Sequence, residues 1–347
     1  MAIFTPLSSE NESSGKNAKP AARPRLVARA ARVTLAYTIL VILFGAVVRI
    51  TGSGAGCGQH WPSCHGEIVH LPRSLETLIE LSHRVTSGGA LVAVLILLAL
   101  AITKLPTGHA ARRAAYAAAA FMLVEALIGA ALVLLALVGT DASTRRAVVM
   151  PAHLISTFAL TASLALTARW SDPSWEDARR KLTAQASRPT FQLGVAVFTL
   201  LLISGTGALT ALGDTLYPPS ASSLAGRIAE DQGVSATFLQ RLRVLHPLLA
   251  VFGGGWVARL GHQLASISGR ASARRAARYL LGFTGVQFLA GSLNVFLSAP
   301  GWLQVLHLGL SLGVWLSFVL CAAALLEAPD LQTSPAGPKA DQGRASG

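Results

Sequence analysis

The sequence predicts an all-α polytopic membrane protein, with eight transmembrane helices arranged as two pseudo-symmetric four-helix bundles. Three observations carry that expectation. Apolar residues make up 52% of the 347-residue chain and charged residues only 13%, with a mean hydropathy of +0.53, too apolar for a soluble domain. Eight apolar segments each approach the ~20 residues that cross a bilayer. Polar residues recur in matching order in the first and second sets of four segments.

Residues 1–30 are Ser-, Asn- and Lys-rich, then Arg-rich, and read as a disordered cytoplasmic tail. No short apolar core with a small-residue cleavage site follows, so no removable signal peptide is expected. The eight spans fall at 31–50, 76–102, 114–139, 147–168, 191–212, 243–268, 277–298 and 301–326. Lipid offers the backbone no hydrogen-bond partner, so each is expected to be helical. Residues 169–190 form a charged linker between the halves 31–168 and 191–326, and 327–347 form a second cytoplasmic tail.

With the N-terminus inside, 21 of the 29 Lys and Arg residues lie on the inner side. The positive-inside rule then puts both termini in the cytoplasm and the loops after the first and fifth spans outside. The net charge of +13 is therefore a topology signal. No basic face or binding motif accompanies it, so nucleic acid is not an expected partner.

The internal repeat is carried by particular residues. The second span has His83 and the sixth His246. The third has Glu125 then Gly129, and the seventh Gln287 then Gly291. The fourth has His153 and the eighth His307. Four spans return the chain to its starting side, so these are parallel repeats about an axis along the membrane normal. The four histidines lie about four to seven residues inside the outer ends of their spans, roughly 6–10 Å deep. A lone intramembrane histidine is commonly a polar side chain bonded to a neighbouring helix. Two matched pairs at one depth point instead to axial ligation, one haem per half, since bundle cores hold cofactors and imidazole ligates haem iron. Zinc would need further Cys or carboxylate ligands.

The halves differ in their acids. Glu80 stands three residues before His83, where Arg243 stands before His246, and Glu125 is replaced by Gln287. The expectation is a division of labour. Glu80 sits beside the reacting group in the first half; its plainer reading is an ion pair with Arg84 at i,i+4. The second half holds a haem as a fixed electron carrier. Arg84, Arg241 and Arg243 are the candidate partners of haem propionates. Glu125 lies deeper, as a packing residue or a proton relay.

Cys57 and Cys64 enclose six residues of the first outer loop, where disulfides persist. A bridge there is structural or redox-active; a metal site with His60 and His65 is the alternative. Gly52, Gly54 and Gly56 suit a tight loop, and Trp61 and Pro62 suit the membrane interface. Cys321, in the last span, reads as core packing.

The run GAVVRITGSGAGCGQHWPSCHG followed by ELSHR resembles haem A synthases, and the later histidines extend the resemblance over roughly residues 31–326. The resemblance implies an eight-helix enzyme of the cell (plasma) membrane that oxidises the C8 methyl of haem O to a formyl group, giving haem A by successive hydroxylations. It implies haem b as cofactor on His246 and His307, and the haem O substrate on His83 and His153. It makes Glu80 the catalytic acid and Cys57–Cys64 a disulfide. Haem O synthase and membrane lipid are the implied partners, and self-association into a homo-oligomer stays open. Some relatives carry a second cysteine pair after the fifth span; residues 213–242 contain none. The competing readings are a bis-histidine dihaem electron carrier without substrate chemistry and a proton-coupled transporter.

Overall fold

The computed structural model describes residues 22–68, 71–172, 189–221 and 223–326. Most of both expected tails and residues 173–188 of the linker lie outside the described residues. Eight helices are long and apolar enough to cross a membrane, and among the described residues there is no strand beyond an isolated Cys64–Glu67 bridge. The protein is an all-α multi-pass membrane protein. In chain order the helices are α1 (Ala22–Ile50), α2 (Leu75–Lys104), α3 (Ala110–Leu134), α4 (Thr144–Trp170), α5 (Thr190–Leu216), the short α6 (Leu224–Gln232), α7 (Phe238–Ser268), α8 (Ala271–Phe296) and α9 (Gly301–Leu326).

Helix α1 begins nine residues before the apolar run expected from the sequence. Val27, Ala28 and Ala31 are fully buried, so residues 22–30 are helix, not tail. Helices α2, α7 and α8 also start ahead of their apolar segments, because polar turns precede the lipid-facing part. Ser74 caps α2 by accepting from Thr77 N at 3.2 Å. Thr237 caps α7 through a capping box with Gln240, which satisfies backbone donors the helix leaves open.

Between helices in lipid, close packing substitutes for hydrophobic expulsion. Small residues at helical spacing provide it. Ala90, Val94, Leu97 and Ala101 form one buried face of α2, and Ala111, Ala115, Ala118 and Met122 one face of α3. These belong to a core made by α1–α4. A second core joins α5, α7, α8 and α9 and reaches Phe158 of α4. The halves meet along α4 against α9, with α4 on α5 and α1 on α9 as a reciprocal pair. Phe158 stacks on Trp315 at 5.4 Å and accepts the indole N–H through its carbonyl at 2.8 Å.

Matched landmarks recur at the ends of the helices. Ser74 and Thr237 each cap a helix nine residues before a histidine, His83 and His246. Helices α3 and α8 end nine residues after Glu125 and Gln287. Each is followed by a cap near φ −93° and a residue of positive φ, Ala136 at 54° and Ser298 at 60°. Helix α7 has 31 residues against 30 for α2, and it contains a π-turn over Ala250–Gly254, the device that fits an extra residue into a helix.

Candidate functional site

The loop between α1 and α2 is stitched onto the start of α2. Cys57 and Cys64 are joined by a disulfide. Gly56 lies so close to α2 that a Cβ there would meet the Glu76 backbone at 2.5 Å; only glycine fits. Thr77 Oγ1 donates to Gly56 O at 2.7 Å, and His65 Nε2 lies 2.9 Å from the same oxygen. The ion-pair reading of Glu80 holds: Arg84 binds its Oε1 through Nε at 3.0 Å and through a terminal nitrogen. The other carboxylate oxygen accepts the Cys57 N–H at 2.7 Å. Arg84 also donates to the carbonyls of His60 and Ser63, each at 2.6 Å. Glu80 is 3% exposed, a charge buried with a complete set of partners.

One turn further along α2, the His83 ring lies over Gly45 of α1, 3.1 Å from where a Cβ would stand, and edge-on to Phe44 at 5.6 Å. Its Nδ1 is buried without a partner. In α4, His153 Nδ1 stands 3.1 Å from Glu125 Oε2 of α3, within ion-pair distance but without the alignment of a hydrogen bond. Thr157 donates to that same oxygen at 2.8 Å.

The second half also sets a histidine over a glycine of its first helix, and its other contacts differ. His246 lies over Gly207 of α5, where a Cβ would come to 2.9 Å of the ring. Its Nδ1 is 3.1 Å from Ile203 O, so Nδ1 carries the proton and Nε2 keeps its lone pair. His307 packs over Gly291, with its Nε2 3.1 Å from the Gln287 amide nitrogen and its Nδ1 buried without a partner.

The residues fit a haem iron. The His246 and His307 ring centres are 6.4 Å apart. Two metal–imidazole bonds of about 2.0–2.1 Å with the ring radii added span roughly the same distance. Orphaned imidazole nitrogens and glycine notches that leave room for rings point the same way. The histidines lie six to nine residues inside their helices; α2, α4 and α7 start ahead of the apolar boundaries, whereas α9 starts at Gly301 as expected. Among the described residues, no three His, Cys, Asp or Glu cluster as a metal site, which leaves the His60–His65 alternative without a ligand set.

The arginines expected near propionates are engaged by protein. Arg243 pairs with Asp214 at 2.9 Å and Asp231 at 2.7 Å and donates to Gly213 O at 2.8 Å. Arg241 donates to Ala236 O and Gly233 O. Asp231 belongs to α6, whose two buried residues are both charged; the other, Arg227, caps the end of α8 through Val295 O at 2.7 Å and Ser298 Oγ at 2.8 Å. On the exposed side of α6, Glu230 accepts from Ser220, which holds its carboxyl below the usual range. Sequence reasoning also missed Arg49. It binds Ala211 O, Thr215 Oγ1 and Gln304 Oε1 across the junction of the halves, at 2.7, 2.6 and 2.9 Å. The Gly-Ala pairs at 45–46 and 207–208 were the available signal for the two notches.

The chain has counterparts among known proteins. A family model described as cytochrome oxidase assembly protein, COX15-CtaA, matches residues 28–319. A Thermus thermophilus protein named protoheme IX farnesyltransferase is 44% identical over 297 residues, 84% of this chain and 47% of its own length. "Heme A synthase" proteins of Bacillus cereus and Bacillus anthracis are each 41% identical over 109 residues, 31% of this chain and 35% of theirs. The chain spans half or less of the length of these curated relatives.

Proposed function

Because this chain belongs to the COX15-CtaA family of cytochrome oxidase assembly proteins, we propose that it acts as a haem A synthase, oxidising the C8 methyl of haem O to a formyl group. The observation that carries this reading is the approach of two of the four intramembrane histidines, His246 and His307, whose rings are 6.4 Å apart. His246 and His307 hold the haem b cofactor; His83 and His153 hold the haem O substrate. A bound haem supplies one-electron redox chemistry.

The chain's own residues do the rest. Glu80 shares a helical face with His83, three residues away. Arg84 and the Cys57 N–H fix its carboxylate, so it meets charge developing at the substrate edge without reorganising. The disulfide loop covers that end of the site and limits water. The two halves act as pseudo-symmetric repeats, one for substrate and one for cofactor. The loop with the disulfide faces outward and both termini the cytoplasm of the plasma membrane, in keeping with the Lys and Arg distribution and with a compartment where disulfides persist.

The Thermus relative's printed name concerns farnesyl transfer to protoheme, and this chain matches less than half of that protein. Ionising a prenyl diphosphate calls for a cation held by clustered carboxylates. The described residues offer paired imidazoles and no such cluster. The relative's name supports a place beside haem O synthase, the step that supplies this substrate. The test is to extract haems from membranes of cells with and without the protein and identify them by mass. Conversion of methyl to formyl on farnesylated haem is the expected result. Gain of a farnesyl group on protohaem would mean a transferase, and an unchanged haem pool with protein-bound haem an electron carrier.

A further inference from the structure

We infer that Glu125 is a positioning residue that sets the iron-binding character of His153 and so makes the first-half site chemically unlike the second. The inference rests on the haem-ligand reading above and adds to it a role for an acid that reading leaves unused. Glu125 Oε2 is 3.1 Å from His153 Nδ1. That nitrogen is buried and makes no aligned hydrogen bond, so the carboxylate acts on the ring through its charge at close range. A negative charge beside a ligating imidazole raises its basicity. A more basic axial ligand favours the oxidised iron.

Three details give the pair its meaning. Thr157 Oγ1 donates to the same oxygen at 2.8 Å and lies within 2.9 Å of the His153 carbonyl, which locks the carboxylate beside the ring. The other oxygen, Glu125 Oε1, is buried without a partner, so the negative charge is not spread over further donors. At the matching register, nine residues from the end of α8, stands Gln287, a neutral amide. Its nitrogen meets His307 at Nε2, the opposite side of the ring. The first half therefore has a charged group behind its ligand and the second has none: His246 is backed by two neutral groups, the Ile203 carbonyl and the Thr206 hydroxyl.

The test uses the purified full chain in detergent, with haem added to fill both sites. Midpoint potentials and low-spin electron paramagnetic spectra are recorded for wild type, Glu125→Gln, Thr157→Val and His153→Ala. Glu125→Gln keeps shape and loses charge. It is expected to move the first-half haem to higher potential and change its spectrum, while the second-half haem stays unchanged. Thr157→Val removes the hydroxyl that shares the carboxylate's charge and is expected to shift the first-half haem the opposite way. This second variant keeps the idea testable if Glu125→Gln fails to assemble. A first-half potential and spectrum indifferent to both variants would overturn the inference while leaving the ligand reading intact. Haem stoichiometry unchanged in His153→Ala would overturn the ligand reading, and the inference with it.

Discussion

Glu80 does two things at once: it neutralises Arg84 and it receives the Cys57 N–H that ties down the disulfide loop. These roles separate by substitution. Glu80→Gln keeps an acceptor for the loop, and the expected outcome is intact haem content with turnover lost, checked by haem assay beside product analysis. Glu80→Ala strips Arg84 of its buried partner, a change of about 3–5 kcal/mol, and is expected to lower the yield of folded protein as well. A second residue-scale expectation concerns the notches. Gly207→Ala would put a methyl 2.9 Å from the His246 ring. Retention of the second-half haem should fall on the order of 10–100-fold, as when groups around a metal ligand are disturbed. Haem-to-protein ratios after washing measure it. The histidines were legible in the sequence because imidazoles are rare in spans and these recur in order. The notches left only the Gly-Ala pairs as a mark, and a glycine in an apolar run looks the same whether or not a ring crosses it.

At the scale of the element, the loops after α1 and α5 reach the same end by opposite chemistry. The first is closed covalently; the second, through α6, is held by Arg243 with Asp214 and Asp231 and by Arg227 on the end of α8. The position three before each histidine supplies the anchor, an acid in α2 and a base in α7. Removing the disulfide as Cys57→Ser with Cys64→Ser should cost about 2–3 kcal/mol for so short a loop. Wild-type protein should resist protease in the first loop without reductant, and the variant should be cut there. That Arg243 holds a loop helix was hidden in the sequence: its partners lie 12 and 29 residues away, in segments without a periodic pattern. What could be read was the substitution of Arg for Glu at a matched register, which marked the position without naming its partner.

Across the whole molecule, Arg49 is a side-chain tie between the halves, beside the Trp315 bond to Phe158. It reaches from α1 to α5 and α9, beside a cleft of ≈ 530 Å³ lined by Thr51, Gly139, Thr215 and Tyr217. Arg49→Met keeps length and loses these bonds. Hydrogen bonds to a charged group contribute about 1.5–3 kcal/mol each before desolvation is offset. Thermal unfolding is expected to begin at a lower temperature, with the four histidines of the spans left in place. Fold class and number of spans were open to reading because lipid demands long apolar helices with closed backbones. The pairing of α4 with α9, and of α4 with α5 and α1 with α9, was not.

The sequence by itself determined an eight-span helical membrane protein, its duplicated order of histidines and the loop holding Cys57 and Cys64, since length, hydropathy and register are properties of the chain alone. Only the tertiary structure decided what each polar group meets: Glu80 under the loop, Arg243 on α6, Glu125 behind His153, Gln287 before His307. Those choices belong to contacts between segments far apart in sequence, where a buried charge settles on whichever partner packing brings within about 3 Å.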